Sequence, residues 1–501
     1  MSIKLENYTE EGGIIFSIKN HKIASNAFLN VIKQICTLVF SLITFPYVSR
    51  ILGDNNYGKY SFATAIIEYL LLFSMLGGGT YAIREGSYIR DDKKKLKIFS
   101  SQMFTIGFFS TALAYLTLIV LCIVCPNLQD YKSILFVLSF RILASFIGVE
   151  WIFIIFEDYL NITIRQIIVQ TIGLILTFLL VKKSDDIIWY AVATVIAMSS
   201  ANLVNFFISQ KYIKVSFTKN MALSKHIKSM IMILLYSAMI TIYSNSDIII
   251  LGIMTDDSTV GIYSVAAKIY GISKNIFIAA LTVLLPRISY YIGTVQETKV
   301  KKIINKTLES LLVFLIPFII LLIYYSKTFI FFISGESYIS GQRPLQLLSV
   351  ALIFAIISSL LTTNTMIPLR KEKQITFLVI ISAIANILFN IVLIPLYKAN
   401  AAAVTTIIAE IIVCVGAMIS SRNFIHINSL FKLCFKISIC SSIMIFVLFS
   451  VSSLFKNILA EFISGTILSM TCYTLTTLLV NKQYRNTILT FLIDYKNKFN
   501  D

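Results

Sequence analysis

The chain has 501 residues, of which 57% are hydrophobic and only 14% charged, and its mean hydropathy is +0.83. Charged residues make up about a quarter of an ordinary soluble domain, so this balance excludes one. The formal net charge of +18 would suggest nucleic acid in a soluble protein, but here the charge sits in links between apolar stretches. No basic link carries the interleaved aromatic residues of a strand-binding groove, so no nucleic-acid partner is expected.

A segment of mixed charge, 1–26, comes first and includes Glu6, Glu10, Glu11 and Lys19. The apolar stretch behind it is too long for a signal-peptide core, so cleavage is not expected. About fourteen apolar stretches follow in all, each able to cross a hydrocarbon layer of about 30 Å as a helix rising 1.5 Å per residue. They run 27–49, 60–80, 98–125, 132–156, 161–181, 187–209, 229–253, 262–286, 308–332, 345–368, 375–397, 400–420, 430–454 and 458–481. The fold class predicted is all-α, polytopic and integral to a membrane.

The first span carries Asn26, Asn30, Gln34, Thr37, Ser41 and Thr44 at spacings of three and four, which puts them on one side of a helix with Lys33 at the border. Glu68 lies in the second span. A basic run, Arg84, Arg90, Lys93, Lys94, Lys95 and Lys97, follows it. Cys122 and Cys125 form a lone CxxC without histidines or a second pair, so no metal site is expected there. All seven cysteines fall within or beside apolar spans, which argues against a disulfide framework. The fourth span holds Arg141 and Glu150. After the sixth comes a second basic run: Lys211, Lys214, Lys219, Lys225 and Lys228.

The seventh span bears Ser237, Thr241 and Ser244, flanked by Tyr236, Tyr243 and Asp247. In the eighth, Ser264, Lys268, Gly271 and Asn275 share a face, whereas Lys274 lies about 240° around the helix from Lys268. A third basic run, Arg287, Lys299, Lys301, Lys302 and Lys306, comes next. Pro317, Pro368 and Pro395 lie in or at the ends of later spans and suggest bends. The eleventh span has Ser382, Asn386 and Asn390, and the twelfth has Glu410. Basic runs in alternate links place those links and both termini in the cytoplasm, which requires an even number of spans. The longest outer turn, 326–342, is too short for a folded extramembrane domain.

One repeat is legible. Gly58-Lys-Tyr60-Ser61-Phe-Ala63 and Gly261-Ile-Tyr263-Ser264-Val-Ala266 open corresponding even-numbered spans, behind Leu52-Gly53 and Leu251-Gly252. Internal repeats of this kind build transporters whose substrate site lies between two bundles. The expected organisation is an N-lobe of six spans at 27–209, a cytoplasmic linker at 210–228, a C-lobe of six at 229–420, a terminal pair at 421–481 and a cytoplasmic tail at 482–501.

Two readings of the polar stripes stay open. They are walls of a common wet cavity, or they supply hydrogen bonds between helices. The ionisable residues divide likewise. Either Glu68, Glu150, Asp247 and Glu410 neutralise Lys33, Arg141, Lys268 and Lys274 as structural pairs, or surplus cations bind an anionic substrate while Glu68, Asp247 or Glu410 carries a coupling proton. Lys33 and Glu150, nearer the membrane edge, also have the option of snorkelling to water. No DxD signature or Gly-rich nucleotide loop is present, and the chain has three histidines in all. An enzyme or an ATP-driven pump is therefore not expected.

Phe45-Pro46-Tyr47-Val-Ser-Arg50-Ile-Leu52-Gly53 through Tyr57-Gly58, then Gly77-Gly-Gly79 and Ile83-Arg84-Glu85, resemble the N-terminal signature of Wzx-type polysaccharide flippases of the multidrug/oligosaccharidyl-lipid/polysaccharide (MOP) exporter superfamily. Asp247 to Gly252, Val260 to Ser264, and Gly335-Glu336-Ser-Tyr338 extend the resemblance over the membrane region. The family often has twelve spans, two fewer than here, although lipid II flippases of the same superfamily are described with fourteen. The resemblance implies movement of a polyprenyl-pyrophosphate-linked oligosaccharide from the cytoplasmic to the outer leaflet of a bacterial inner membrane, for surface polysaccharide such as O-antigen. Lys33, Arg141, Lys268 and Lys274 would then face pyrophosphate, and Arg50 and Arg84 would be cavity-mouth or headgroup contacts. Asn30, Gln34, Thr37, Ser41, Ser237, Thr241, Ser244 and Asn275 would face sugar. No cofactor is implied, but coupling to a proton or sodium gradient is. The partners would be membrane lipids and the polymerase and chain-length machinery. The competing readings are a cation-coupled multidrug exporter of the superfamily and an integral-membrane polymerase or ligase.

Overall fold

The computed structural model describes residues 9–480, and among these residues every regular element is a helix. Residues 1–8 and the tail expected at 482–501 lie outside the described residues, as do the side chains of Glu10, Glu11 and Lys19. The α-helices are α1 (Thr9–Met75), α2 (Gly78–Tyr88), α3 (Lys93–Val124), α4 (Lys132–Ile147), α5 (Glu150–Ile155), α6 (Tyr159–Leu180), α7 (Ile187–Ser209) and α8 (Leu223–Met254). They continue with α9 (Asp257–Thr282), α10 (Leu284–Gly293), α11 (Glu297–Tyr324), α12 (Ser326–Ser334), α13 (Gln342–Leu361), α14 (Glu372–Ser420), α15 (Ile427–Leu454) and α16 (Ile458–Val480).

Among the described residues, eleven helical segments are long and apolar enough to cross a membrane, and α9 and α10 form a further pair bent by 41°. Two of the eleven are hairpins. The segment Leu29–Tyr88 has 60 residues, which would reach about 90 Å if straight. It breaks at Gly53, whose φ of 71° and ψ of 173° suit glycine. The rings of Phe45 and Tyr57 then meet with centroids 5.9 Å apart, where an unbroken helix would separate those residues by about 18 Å. In α14 the break is at Lys398, and the Ser382 hydroxyl donates to the Ala409 carbonyl at 2.9 Å across the resulting antiparallel pair. Counting each hairpin as two spans and the bent pair as one, all fourteen apolar stretches have a helical counterpart.

Boundaries differ where charge precedes apolar sequence. The ninth stretch, expected at 308–332, is α11 starting at Glu297 and a separate short α12. Hydropathy sees the membrane portion of α11, whereas the lysine-rich first turns are equally helical. The basic link after the second span is likewise partly helical, as α2 and the start of α3.

The chain divides into two compact units after Gly261. In the first unit, α4, α6 and α7 pack together, and α1 lies against α3, α4, α6 and α8. Sequence reasoning sets the lobe boundary at 210–228; the compact units divide later because α8 packs along α1 and α2. A buried cluster fastens this arrangement. Tyr81 of α2 donates to Nδ1 of His226 on α8 at 2.8 Å, and the other ring nitrogen meets Gln102 of α3 at 3.1 Å. In the second unit α13 packs on α14 and α11, and the α15–α16 pair docks through α15 on α11.

The repeat has a packing reason. A Cβ built on Gly58 would overlap the carbonyl oxygen of Asp257, and one on Gly261 would overlap that of Asp54. Each aspartate precedes its own glycine by four residues, so the two copies of the motif cross by exchanging equivalent contacts. Ser258 donates to the Asp54 carboxylate and Tyr131 to that of Asp257. The glycines recur because two helix backbones touch there.

Candidate functional site

Most of the intramembrane cations are clamped. In the first unit, Arg141 of α4 bonds Glu68 through Nη2 and Oε1 at 2.6 Å, with the arginine side chain 10% exposed and the glutamate 36%. Lys33 of α1 bonds Glu150 of α5 at 2.8 Å. These two residues meet each other instead of snorkelling separately to water. The acids therefore cancel the bases helix to helix, as a low-dielectric interior demands of charges it holds.

In the second unit, Lys274 of α9 bonds Oε1 of Glu410 at 2.7 Å. Tyr270, one turn earlier, donates to the same oxygen at 2.8 Å, and Glu410 is 3% exposed. Lys268 differs. It is accessible, and among the described residues it has no hydrogen bond or ion pair. The space beside it is open, since a Cβ on Gly271 would meet nothing within 4 Å, and Asn275 on the same face is exposed. The helical geometry that turns Lys274 toward α14 turns Lys268 away from it.

The polar stripes are put to both uses. Thr37 accepts from Gln170 of α6 at 2.9 Å, which is helix-to-helix bonding, and donates within its own helix to the Lys33 carbonyl at 2.9 Å. Asn30 and Gln34 are exposed and Ser41 is half-buried. On α8, Ser244 is exposed, Ser237 and Thr241 are half-buried, and Asp247 is 7% exposed. Arg50 lies exposed just ahead of the Gly53 break. Arg84 pairs with its neighbour Glu85 at 3.0 Å, half in solvent.

Sequence reasoning passed over Arg165 of α6. Its guanidinium lies 4.3 Å over the Phe153 ring, and none of its three nitrogens has a hydrogen-bond partner among the described residues, although all are buried. It lies nearer its span's end than Lys274, four residues inside the expected stretch 161–181, but it is a cation within an apolar stretch all the same. Nearby, outside the spans, Tyr212 donates to Asp158 at 2.6 Å, and that carboxylate pushes the phenol up to about 12. Pro286 was also passed over. It stands in the first turn of α10, immediately after the bend.

The sequence model of the polysaccharide biosynthesis protein family matches residues 23–292. A protein of Escherichia coli (strain K12) named "Putative O-antigen transporter" is 25% identical over 393 residues, covering 76% of this chain and 92% of its own. One of the same name from Shigella dysenteriae is 23% identical over 385 residues, covering 75% and 94%. Among solved structures, lipid II flippase MurJ in an inward closed conformation superposes with a TM-score of 0.74 at 18% identity, over 92% of this chain and 100% of that one. An inward-facing multidrug resistance MATE family transporter of the MOP superfamily gives 0.60 at 11% identity, over 79% and 96%. The likeness to MurJ and MATE is one of fold, and it agrees with the all-α, multi-pass architecture. The family match spans more than half of the chain, so the chain belongs to the polysaccharide biosynthesis protein family.

Proposed function

We propose that this protein is a flippase that carries a polyprenyl-pyrophosphate-linked oligosaccharide from the cytoplasmic to the outer leaflet of a bacterial inner membrane, by alternating access and without chemical change to the cargo. The observation that carries the reading is Lys268, an accessible cation inside a span that no carboxylate neutralises among the described residues. An uncompensated charge at that depth is costly unless an anionic ligand or water meets it. A pyrophosphate supplies that anion. The exposed Asn275, on the same face of α9 as Lys268, offers an amide of the kind sugars require.

Arg141, Lys33 and Lys274 are secondary in this scheme, because each already has a carboxylate. Glu410 is the acid best suited to carry a coupling proton: protonation would release Lys274 from its bridge and change the local charge by one. Cargo and proton need only bind the inward and outward states with different affinity to drive exchange between them. The basic links and both termini lie on the cytoplasmic side by the positive-inside rule.

Depletion of the protein in its own cell, with mass spectrometry of lipid-linked oligosaccharides and a probe for their leaflet, tests the reading. Complete repeat units should accumulate on the cytoplasmic side. An unchanged lipid pool with altered drug accumulation would make the protein an exporter instead, and unpolymerised units on the outer face would make it a polymerase.

A further inference from the structure

The bent pair α9–α10 and the continuous helix α11 enclose a groove of about 1030 Å³. Pro286 creates it. Proline has no N–H to offer the carbonyl four residues earlier, that of Thr282, and its ring collides with that carbonyl. The helix accordingly stops at Thr282, resumes at Leu284 and departs by 41°. The gap that opens against α11 has the chemistry of a lipid. One wall is apolar, with Phe277, Leu281 and Leu284 facing Leu311 and Phe314. The other end, beside the α10–α11 turn, gathers Arg287, Lys299, Lys302 and Lys306.

Lys299, Lys302 and Lys306 stand at i, i+3 and i+7, a row on one helix face about 10 Å long. None of the four cations makes an ion pair among the described residues, and no acidic side chain lines the groove. An oligosaccharide would find few partners here, since Tyr291, Thr307 and Ser310 supply the neutral polar groups of the lining. A phosphate with a hydrocarbon chain matches both ends.

We propose that the groove binds an anionic phospholipid, with its phosphate on the lysine row and a chain along Phe277, Leu281 and Phe314, and that the bound lipid stabilises the bent form of α9–α10. Straightening the pair would close the gap that the chain fills, so the lipid favours the bent state by its differential affinity. Binding requires no cargo, and its test is therefore separate from that of the flippase reading.

The full chain, purified and reconstituted in nanodiscs of phosphatidylcholine with or without phosphatidylglycerol, is assayed by native mass spectrometry for retained lipid and by thermal unfolding. Wild type should retain phosphatidylglycerol over phosphatidylcholine and unfold at a higher temperature with it. The triple variant Lys299→Gln/Lys302→Gln/Lys306→Gln should lose that retention by about tenfold or more, as expected for cations at an anionic headgroup. Ala280→Phe, which fills the apolar wall and leaves every charge in place, should lose it too, and keeps the test decisive if the triple variant misfolds. Equal retention of both phospholipids by wild type, or unchanged phosphatidylglycerol retention in Ala280→Phe, would overturn the proposal. Displacement of bound phosphatidylglycerol by polyprenyl pyrophosphate would also overturn it, assigning the groove to the cargo.

Discussion

Arg141 on α4 and Lys268 on α9 are both cations set several residues inside a span, and the two units treat them oppositely. Arg141 is closed off by Glu68 at 2.6 Å and is 10% exposed, whereas Lys268 faces open space. Within α9 the contrast recurs, with Lys274 clamped by Glu410 and Tyr270. Depth in the membrane alone therefore does not mark a functional charge. What distinguishes the two classes is whether the fold supplies a counter-ion, and that distinction predicts different costs of removal.

The largest loss of stability should follow Glu410→Ala. It leaves Lys274 without its carboxylate and Tyr270 without its acceptor, and breaking one side of a buried pair costs roughly 3 kcal/mol or more. The thermal midpoint of the detergent-solubilised protein reads this directly. The double change Glu410→Leu/Lys274→Met should recover most of the loss, because an apolar pair of similar volume is often neutral or better. If Glu410→Ala unfolded at the wild-type temperature, the clamped class would have no energetic meaning.

Gly58→Ala and Gly261→Ala should come next, at about 1–3 kcal/mol each, since the methyl would strike a backbone carbonyl that cannot rotate aside. Gly271→Ala is the matched control on the face of Lys268. With nothing within 4 Å of its Cβ, it should be neutral or stabilising by up to about 1 kcal/mol, the helix propensity difference. A loss in Gly271→Ala equal to that in Gly58→Ala would mean that the repeated glycines serve helix flexibility and not contact.

These glycines show where the sequence was readable and where it was not. The span count was legible because hydropathy measures the solvent, and the bilayer imposes one length on every helix. The motif Gly-x-Tyr-Ser-x-Ala was visible as a repeat, yet its cause, two backbones in contact, depends on a crossing that no linear pattern contains. The pairing of Arg141 with Glu68 and of Lys33 with Glu150 joins residues on different helices, 73 and 117 positions apart. Sequence gave the inventory of charges and left two outcomes open for them. Pro286 and Arg165 are legible in sequence on the same grounds as Pro395 and Arg141, a proline near the end of an apolar stretch and a cation inside one.

A smaller effect is expected for Glu68→Gln. Its carboxylate is 36% exposed, so water takes over part of the work and the cost should be about 1 kcal/mol. Stability comparable to that of Glu410→Ala would show that the first unit depends on its clamp as heavily as the second.

The smallest effect on folding and the sharpest on function should coincide in Lys268→Gln. An accessible side chain without a partner can be replaced within about 0.5 kcal/mol, so yield and thermal midpoint should stay at wild-type values. A charge-assisted bond to phosphate is worth about 1.5–3 kcal/mol, so flipping at limiting cargo should fall by roughly ten- to a hundredfold. Lys268→Arg separates charge from mere polarity. The guanidinium keeps the positive charge and fits phosphate geometry at least as well, so it should retain most activity where glutamine does not. Wild-type flipping in Lys268→Gln would place the cargo's anion elsewhere. Equal loss in Lys268→Arg would mean that the position requires the compact ammonium, as a proton-transferring group would, and the open lysine would then belong to coupling and not to cargo.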